Sequence, residues 1–372
     1  MSYPLSRLSR LYREPGPWTF VQLDVGLDPH GPGQALRLRW DGIRNILREK
    51  DVPPKQLNAL DDLFESAAEQ AGSACRFVLV GSTGIVVDET LDAGTSCMNE
   101  AAVDQIPLLA PLVRRHAHDL PYLVVEAGRD GARISAFRSD GRPVSAVDVE
   151  GETVHLTKVH GGGWAHRRFQ QTTEEVWRRN AQDVGEVVER YWTQAGSRMV
   201  VLTGDVRARE QLRMQLPPAL RESLVELDVQ TRPPGAEEQA VADAIAAHRD
   251  ELAEQERERL AERFGAGRPR GLAVDGIGAT VYALRQAQVE YLVLDFEALE
   301  GRTLLALHDE PWVASGPEGV TGTGVLTEAP AVDVLIRAGA LTDARLLPAG
   351  PEAGDVRSDG VSALLRWPTG PQ

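Results

Sequence analysis

Residues 160–175 read HGGGWAHRRFQQTTEE, and their types admit three chemistries. The run His160, Gly161, Gly162, Gly163 could present backbone N–H groups to a developing oxyanion, as acyl transfer requires. That chemistry also needs a nucleophile on a G-x-S-x-G elbow downstream, followed by an acid and then a histidine. The nearest approach is GVSAL at Gly360–Leu364, which lacks the second glycine and has no histidine after it. Acyl hydrolysis through a triad therefore fails. Metal binding is the second option, since His155, His160 and His166 fall close together. Their spacing matches no standard zinc pattern and the H-E-x-x-H pair is absent. Neither a metal nor a cofactor is expected.

RNA binding is the third. From His155 to Arg168 there are three cations (Lys158, Arg167, Arg168) and three histidines with no carboxylate, in a chain of formal net charge −15. Glycines let the backbone pass close to a phosphate chain, and arginines grip phosphates bidentately. Trp164 offers a ring face to an unpaired base, a contact worth roughly 1–3 kcal/mol when stacked. The plainer alternative is that Trp164 packs under its own loop while the arginines are solvated. As an RNA-reaching tip the stretch would be exposed and mobile in the free protein.

The elements that must position this stretch are readable from pattern. The chain has 372 residues and is 42% hydrophobic, enough for two or three domains with ordinary cores. No apolar run reaches the length of a bilayer span, and the start lacks the signature of a secretory signal. Cys75 and Cys97 are the only cysteines and sit in no C-x-x-C, so no disulfide framework is expected. Cytoplasm is the expected compartment, with no membrane contact. The net acidity argues against a general nucleic-acid coat but not against a local basic patch.

Three α/β units are expected: 1–118, 119–232 and 233–372. In the first, FVQLDVGL reads as a strand and CRFVLVGSTGIVVDETL as a hairpin across Gly81–Gly84. Leu36, Trp40, Ile43 and Leu47 recur at helical spacing between them. Arg37, Arg44 and Arg48 share another face of that helix; they form either a solvated face or an N-terminal RNA contact. In the second unit, strands flank a turn at Arg129–Gly131, further strand follows, and the glycine stretch opens a long helix running through Val176, Val184, Val188 and Tyr191. Strands at SRMVVLTGD and SLVELDV bracket another helix, so a mixed sheet with helices packed on it is expected. The third unit opens with an acidic helix from Ala236 to about Phe264 and then alternates helix and strand.

Past the glycines the stretch resembles the GGQ loop and following helix of archaeal and eukaryotic peptide-release factors. Gly162, Gly163, Arg168 and Phe169 match in order, with Trp164 at the glutamine and Ala165 at the serine. The hairpin before it is similar to that of the family's central domain, and the three-unit order follows the family's. Trp164, Phe169, Gln170, Thr172–Glu175 and Asn180 bring the likeness nearest to the bacterial, Pelota-related branch that includes the Balon-type ribosome-hibernation factors of actinobacteria. The resemblance implies a translation factor of stress and dormancy in the ribosomal A site. Its first unit would face the decoding centre. Its loop residues His160, Gly161, Gly162, Gly163, Trp164, His166, Arg167 and Arg168 would meet rRNA at the peptidyl-transferase centre. It implies the 70S ribosome as partner and, on the C-terminal side, elongation factor Tu. Trp164 argues against catalysis: an indole has one N–H donor and no acceptor with which to orient water. The rival readings are an active peptidyl-tRNA hydrolase using Gln170 or a histidine, and a stress protein without ribosome contact.

Overall fold

A computed structural model describes residues 3–26, 33–66, 74–92, 97–117, 121–138, 141–151, 163–195, 197–227, 236–320, 322–349 and 359–368; for 3, 4, 7, 92, 117, 163–174, 195, 236–242, 244, 249, 252 and 253 it describes the backbone alone. The chain divides into two units, 119–255 and the combination of 1–118 with 256–372. The first and third sequence segments thus fold as one unit, and the division falls within the acidic helix rather than before it.

The N-terminal part carries β1 (Tyr3–Pro4), α1 (Ser9–Arg13), β2 (Trp18–Asp24), α2 (Gln34–Glu49), α3 (Pro54–Glu65), β3 (Ala74–Gly81), β4 (Gly84–Asp92), β5 (Glu100–Asp104) and α4 (Ala110–Ala117). Strands β4-β3-β2-β5 form an antiparallel sheet, with Gly81 opposite Gly84 at the hairpin turn. All four apolar residues of the α2 stripe are buried, against Val21, Leu23, Val78 and Val80 of the sheet. Trp40 stacks on Phe64 of α3 at 4.6 Å between ring centroids. Its indole Nε1 donates to Asp61 Oδ1 at 3.0 Å. The other sheet face, with Phe20, Phe77 and Leu79, packs into the core of the C-terminal part.

Cys75 of β3 and Cys97 are joined in a disulfide, which corrects the sequence reading. The 22-residue separation carries no pairing signal by itself. Both β3 and β5 pair with β2, and that arrangement brings the two sulfurs together.

The second unit holds β6 (Tyr122–Gly128), β7 (Gly131–Phe137), β8 (Pro143–Glu150), α5 (Gly163–Ala195), β9 (Met199–Gly204), α6 (Val206–Gln215), α7 (Pro218–Glu222) and β10 (Leu224–Glu226). Its sheet runs β10-β9-β6-β7-β8. β6, β7 and β8 are antiparallel neighbours, whereas β9 runs parallel to β6 and to β10. This is the mixed sheet expected. Val184 and Val188 of α5 and Leu212 of α6 are buried with Leu123, Val125, Val200 and Leu202 of the strands.

Helix α8 (Ala236–Gly267) leads into β11 (Ala273–Asp275), α9 (Ile277–Arg285), β12 (Val289–Leu294), β13 (Thr303–Leu307), β14 (Val313–Ala314), β15 (Val325–Pro330), α10 (Ala331–Leu341), β16 (Arg345–Pro348) and β17 (Val361–Leu365). The main sheet is β1-β16-β12-β17-β11, and β14-β13-β15 form a smaller one. The edge strand β1 comes from the very start of the chain, with Tyr3 opposite Leu346. Leu5 beside it is fully buried in the C-terminal core. Every residue of α10 from Ala331 to Ala340 is buried, Asp333 and Arg337 included. Both charged groups have partners. Asp333 Oδ1 accepts the N–H of Leu109 and Ala110 at 2.7 and 2.8 Å. Arg337 donates to the carbonyls of Trp312 and Leu307. Among the described residues no helix is long and apolar enough to cross a membrane.

Candidate nucleic-acid interface

In the second unit Gly163 opens the long helix α5. Helix α5 grips the sheet from Asn180 onward, where Asn180, Ala181, Val184 and Val188 are buried at helical spacing. Its C-terminal end lies at the start of β6: Ser197 N–H bonds to Trp192 C=O, and Arg198 N–H to Pro121 C=O. Asn180 marks the opposite end of the strands. Its Nδ2 donates to the carbonyl of Arg129, in the β6–β7 turn, at 3.2 Å.

Three tight contacts lock that corner. Gly151 N–H donates to Asp130 C=O at 2.7 Å. A Cβ on Gly151 would sit 2.4 Å from the Asn180 amide carbon, so a side chain there would displace the amide. Gly131 has φ +141° and a Cβ there would lie 2.0 Å from Val149 O, so only glycine fits the turn. Asn180, met in the sequence as one letter of a pattern, therefore works as a staple. It satisfies a turn carbonyl and fills the space that Gly151 leaves.

Gly163 begins α5 seventeen residues before Asn180. At about 1.5 Å per residue, the stretch of α5 from Gly163 to Asn180 is some 25 Å long. Gly163, Trp164, His166, Arg167 and Arg168 occupy the first two turns of that stretch by backbone. The helix thus starts six residues ahead of Phe169, at the last glycine. His160, Gly161 and Gly162 lie outside the described residues, as do the side chains of Trp164 to Arg168 and the choice between packing and stacking for Trp164. Nearer the root, Arg178 donates to Glu175 Oε1 at 2.6 Å; that hydrogen bond holds the Glu175 carboxyl below the usual range.

Residues 121–270 match the family model described as bacterial archaeo-eukaryotic release factor family 2. That match is confined to the central segment of the chain. Two uncharacterized proteins of Mycobacterium tuberculosis are each 24% identical over 291 residues, 77% of this chain and 77% of theirs. Similar solved structures include Dom34 of S. cerevisiae, a translation termination-like factor (TM-score 0.43, 10% identity, 80% of this chain and 81% of that one). Another is ribosome-bound archaeal Pelota (TM-score 0.39, 12% identity, 98% and 95%). At these TM-scores the superpositions carry no argument.

The three α2 arginines are not equivalent. Arg37 and Arg48 are exposed. Arg44 places Nε and Nη2 on the two carboxylate oxygens of Asp61 at 2.6 and 2.7 Å, clasping α2 to α3. The Arg44 hydrogen bond holds the Asp61 carboxyl below its ordinary range. Among the described residues no group of three or more His, Cys, Asp or Glu is arranged to hold a metal ion; His155 and His160 fall outside them.

Sequence reasoning missed a cluster at the root of α5. Arg129 Nε donates to Asp205 Oδ2 at 3.0 Å, and its Nη2 forms an ion pair with the same oxygen at 2.9 Å. Its guanidinium lies 5.3 Å from the Trp177 ring centroid, within cation–π range. Asp205 also caps α6, its Oδ1 accepting the N–H of Arg207 and Ala208. The Arg129 hydrogen bond, aided by those two N–H groups, holds the Asp205 carboxyl low. The aspartate after Thr203-Gly204 is a legible N-cap signal; its pairing with a hairpin turn 76 residues away is not.

Proposed function

We propose that this protein is a ribosome-binding translation factor of the hibernation type, lodging in the A site of 70S particles without releasing peptide. The observation that carries the proposal is the rigidly rooted α5. Its N-terminal part, about 25 Å of helix ahead of Asn180, carries residues with a release-factor pattern altered at Trp164. A helix fixed at one end by Asn180, Ala181, Val184 and Val188 can enter a narrow RNA channel without losing its contacts to the sheet. Arg167 and Arg168 then meet phosphates and Trp164 meets a base. A Balon-like role, cytoplasmic residence, a decoding-centre position for Arg37, Arg44 and Arg48, and the elongation factor Tu contact belong to the same proposal.

Two measurements test it. In stationary-phase lysate the protein should sediment with 70S particles. Purified protein should not accelerate release of a model peptide from ribosome-bound tRNA, because Trp164 offers no acceptor to position water. Codon-independent release above background, abolished by Gln170→Ala, would establish the hydrolase instead.

A further inference from the structure

The arginine cluster at the root of α5 borders a shallow cleft, open to solvent, between the β6–β7 turn, α5 and α6. Its walls include Arg129, Trp177, Asn180, Arg207 and Gln211 and contain no carboxylate. In a chain of net charge −15 that composition is selective. Arg129 is held in place: Asp205 engages Nε and Nη2, and Trp177 supports the guanidinium plane. That leaves its Nη1 edge for another acceptor. Arg207 and Gln211 stand one turn apart on α6, so both side chains line the same wall. Arg207 is exposed, and Asp205 binds its backbone N–H alone.

We infer that this cleft is a phosphodiester-binding site that grips an RNA backbone at the root of α5, apart from the helix tip. One arginine oriented by a carboxylate and a ring, with a second arginine and an amide opposite, is the donor set a phosphate needs. The inference deepens the ribosome-binding reading and rests on it for the identity of the RNA.

The test uses the full chain with two probes, 70S ribosomes and a single-stranded U12 RNA, each titrated across a range of salt. Arg207→Gln removes the proposed contact without touching the Asp205 cap. Arg213→Gln, on α6 outside the cleft, serves as control. Arg207→Gln is expected to weaken binding several-fold and to lower the slope of log K against log[salt] by about 1. Arg213→Gln should change neither. Unchanged slope and affinity in Arg207→Gln, for both probes, would overturn the inference while leaving ribosome binding intact. A U12 effect with no binding to 70S particles would keep the phosphate site and overturn the ribosomal reading. No binding of either probe to the wild type would overturn the site, as would polyglutamate binding as tightly as U12, which would mark an acidic-protein surface.

Discussion

Asp333 stands on α10 yet caps α4, satisfying two N–H groups of a helix start more than two hundred residues earlier in the chain. Burial pushes its carboxyl up to about 7, against the two N–H groups, which draw it down. The unfolded chain releases this proton near 3.8 while the folded chain keeps it to about 7. Over that window the folded state binds more protons, so stability falls as pH rises and levels off above it. Asp333→Asn keeps an oxygen acceptor and does not titrate. Urea unfolding at pH 5 and at pH 8 should therefore show a larger loss in the wild type than in Asp333→Asn. An equal loss in both would assign the pH dependence elsewhere. Asp333→Ala strips two buried donors of their acceptor and should cost about 1–3 kcal/mol at either pH.

At the scale of elements, the corner that roots α5 predicts a coupling. Gly151→Ala should be destabilising because its methyl would press on the Asn180 amide at 2.4 Å. Asn180→Ala should cost about 1–3 kcal/mol through the orphaned Arg129 carbonyl. In the double variant the obstacle to the Gly151 methyl is gone, so the two costs should sum to more than the measured total. Strict additivity in denaturant unfolding would show that the two residues do not share one space. The α2–α3 clasp makes a simpler case. Asp61→Ala takes the acceptor from both Arg44 and Trp40 and should lower the unfolding midpoint, whereas Arg37→Ala and Arg48→Ala, at exposed positions, should leave it near wild type.

Across the whole molecule, a protein of charge −15 that binds a polyanion must do so through local contacts, and their strength must fall with salt. Reversing Arg167 and Arg168 to glutamate should weaken 70S association far more than reversing Arg257 and Arg259, which are exposed on α8. Equal losses from the two double variants would assign the interaction to bulk charge. Trp164→Ala should leave thermal unfolding nearly unchanged while weakening ribosome association. A core tryptophan would instead cost about 3–5 kcal/mol on truncation. A fall of many degrees in midpoint would make HGGGW scaffold.

The sequence by itself determined what neighbours along the chain decide. The stripe Leu36, Trp40, Ile43, Leu47 could only bury one helix face. The glycines at 81 and 84 and the turn at Arg129–Gly131 could only close hairpins. Periodicity and turn chemistry act within a few residues, so they are legible without coordinates, and the release-factor pattern after Gly162 is equally local. Tertiary structure decided everything that joins distant segments. It set β1 on the C-terminal sheet, paired Cys75 with Cys97, clasped Arg44 to Asp61, and made Asn180 the staple of α5. Each depends on which surfaces meet once apolar faces are buried. A two-residue strand, a lone asparagine or an arginine on a polar helix face carries no periodic signal to announce its partner.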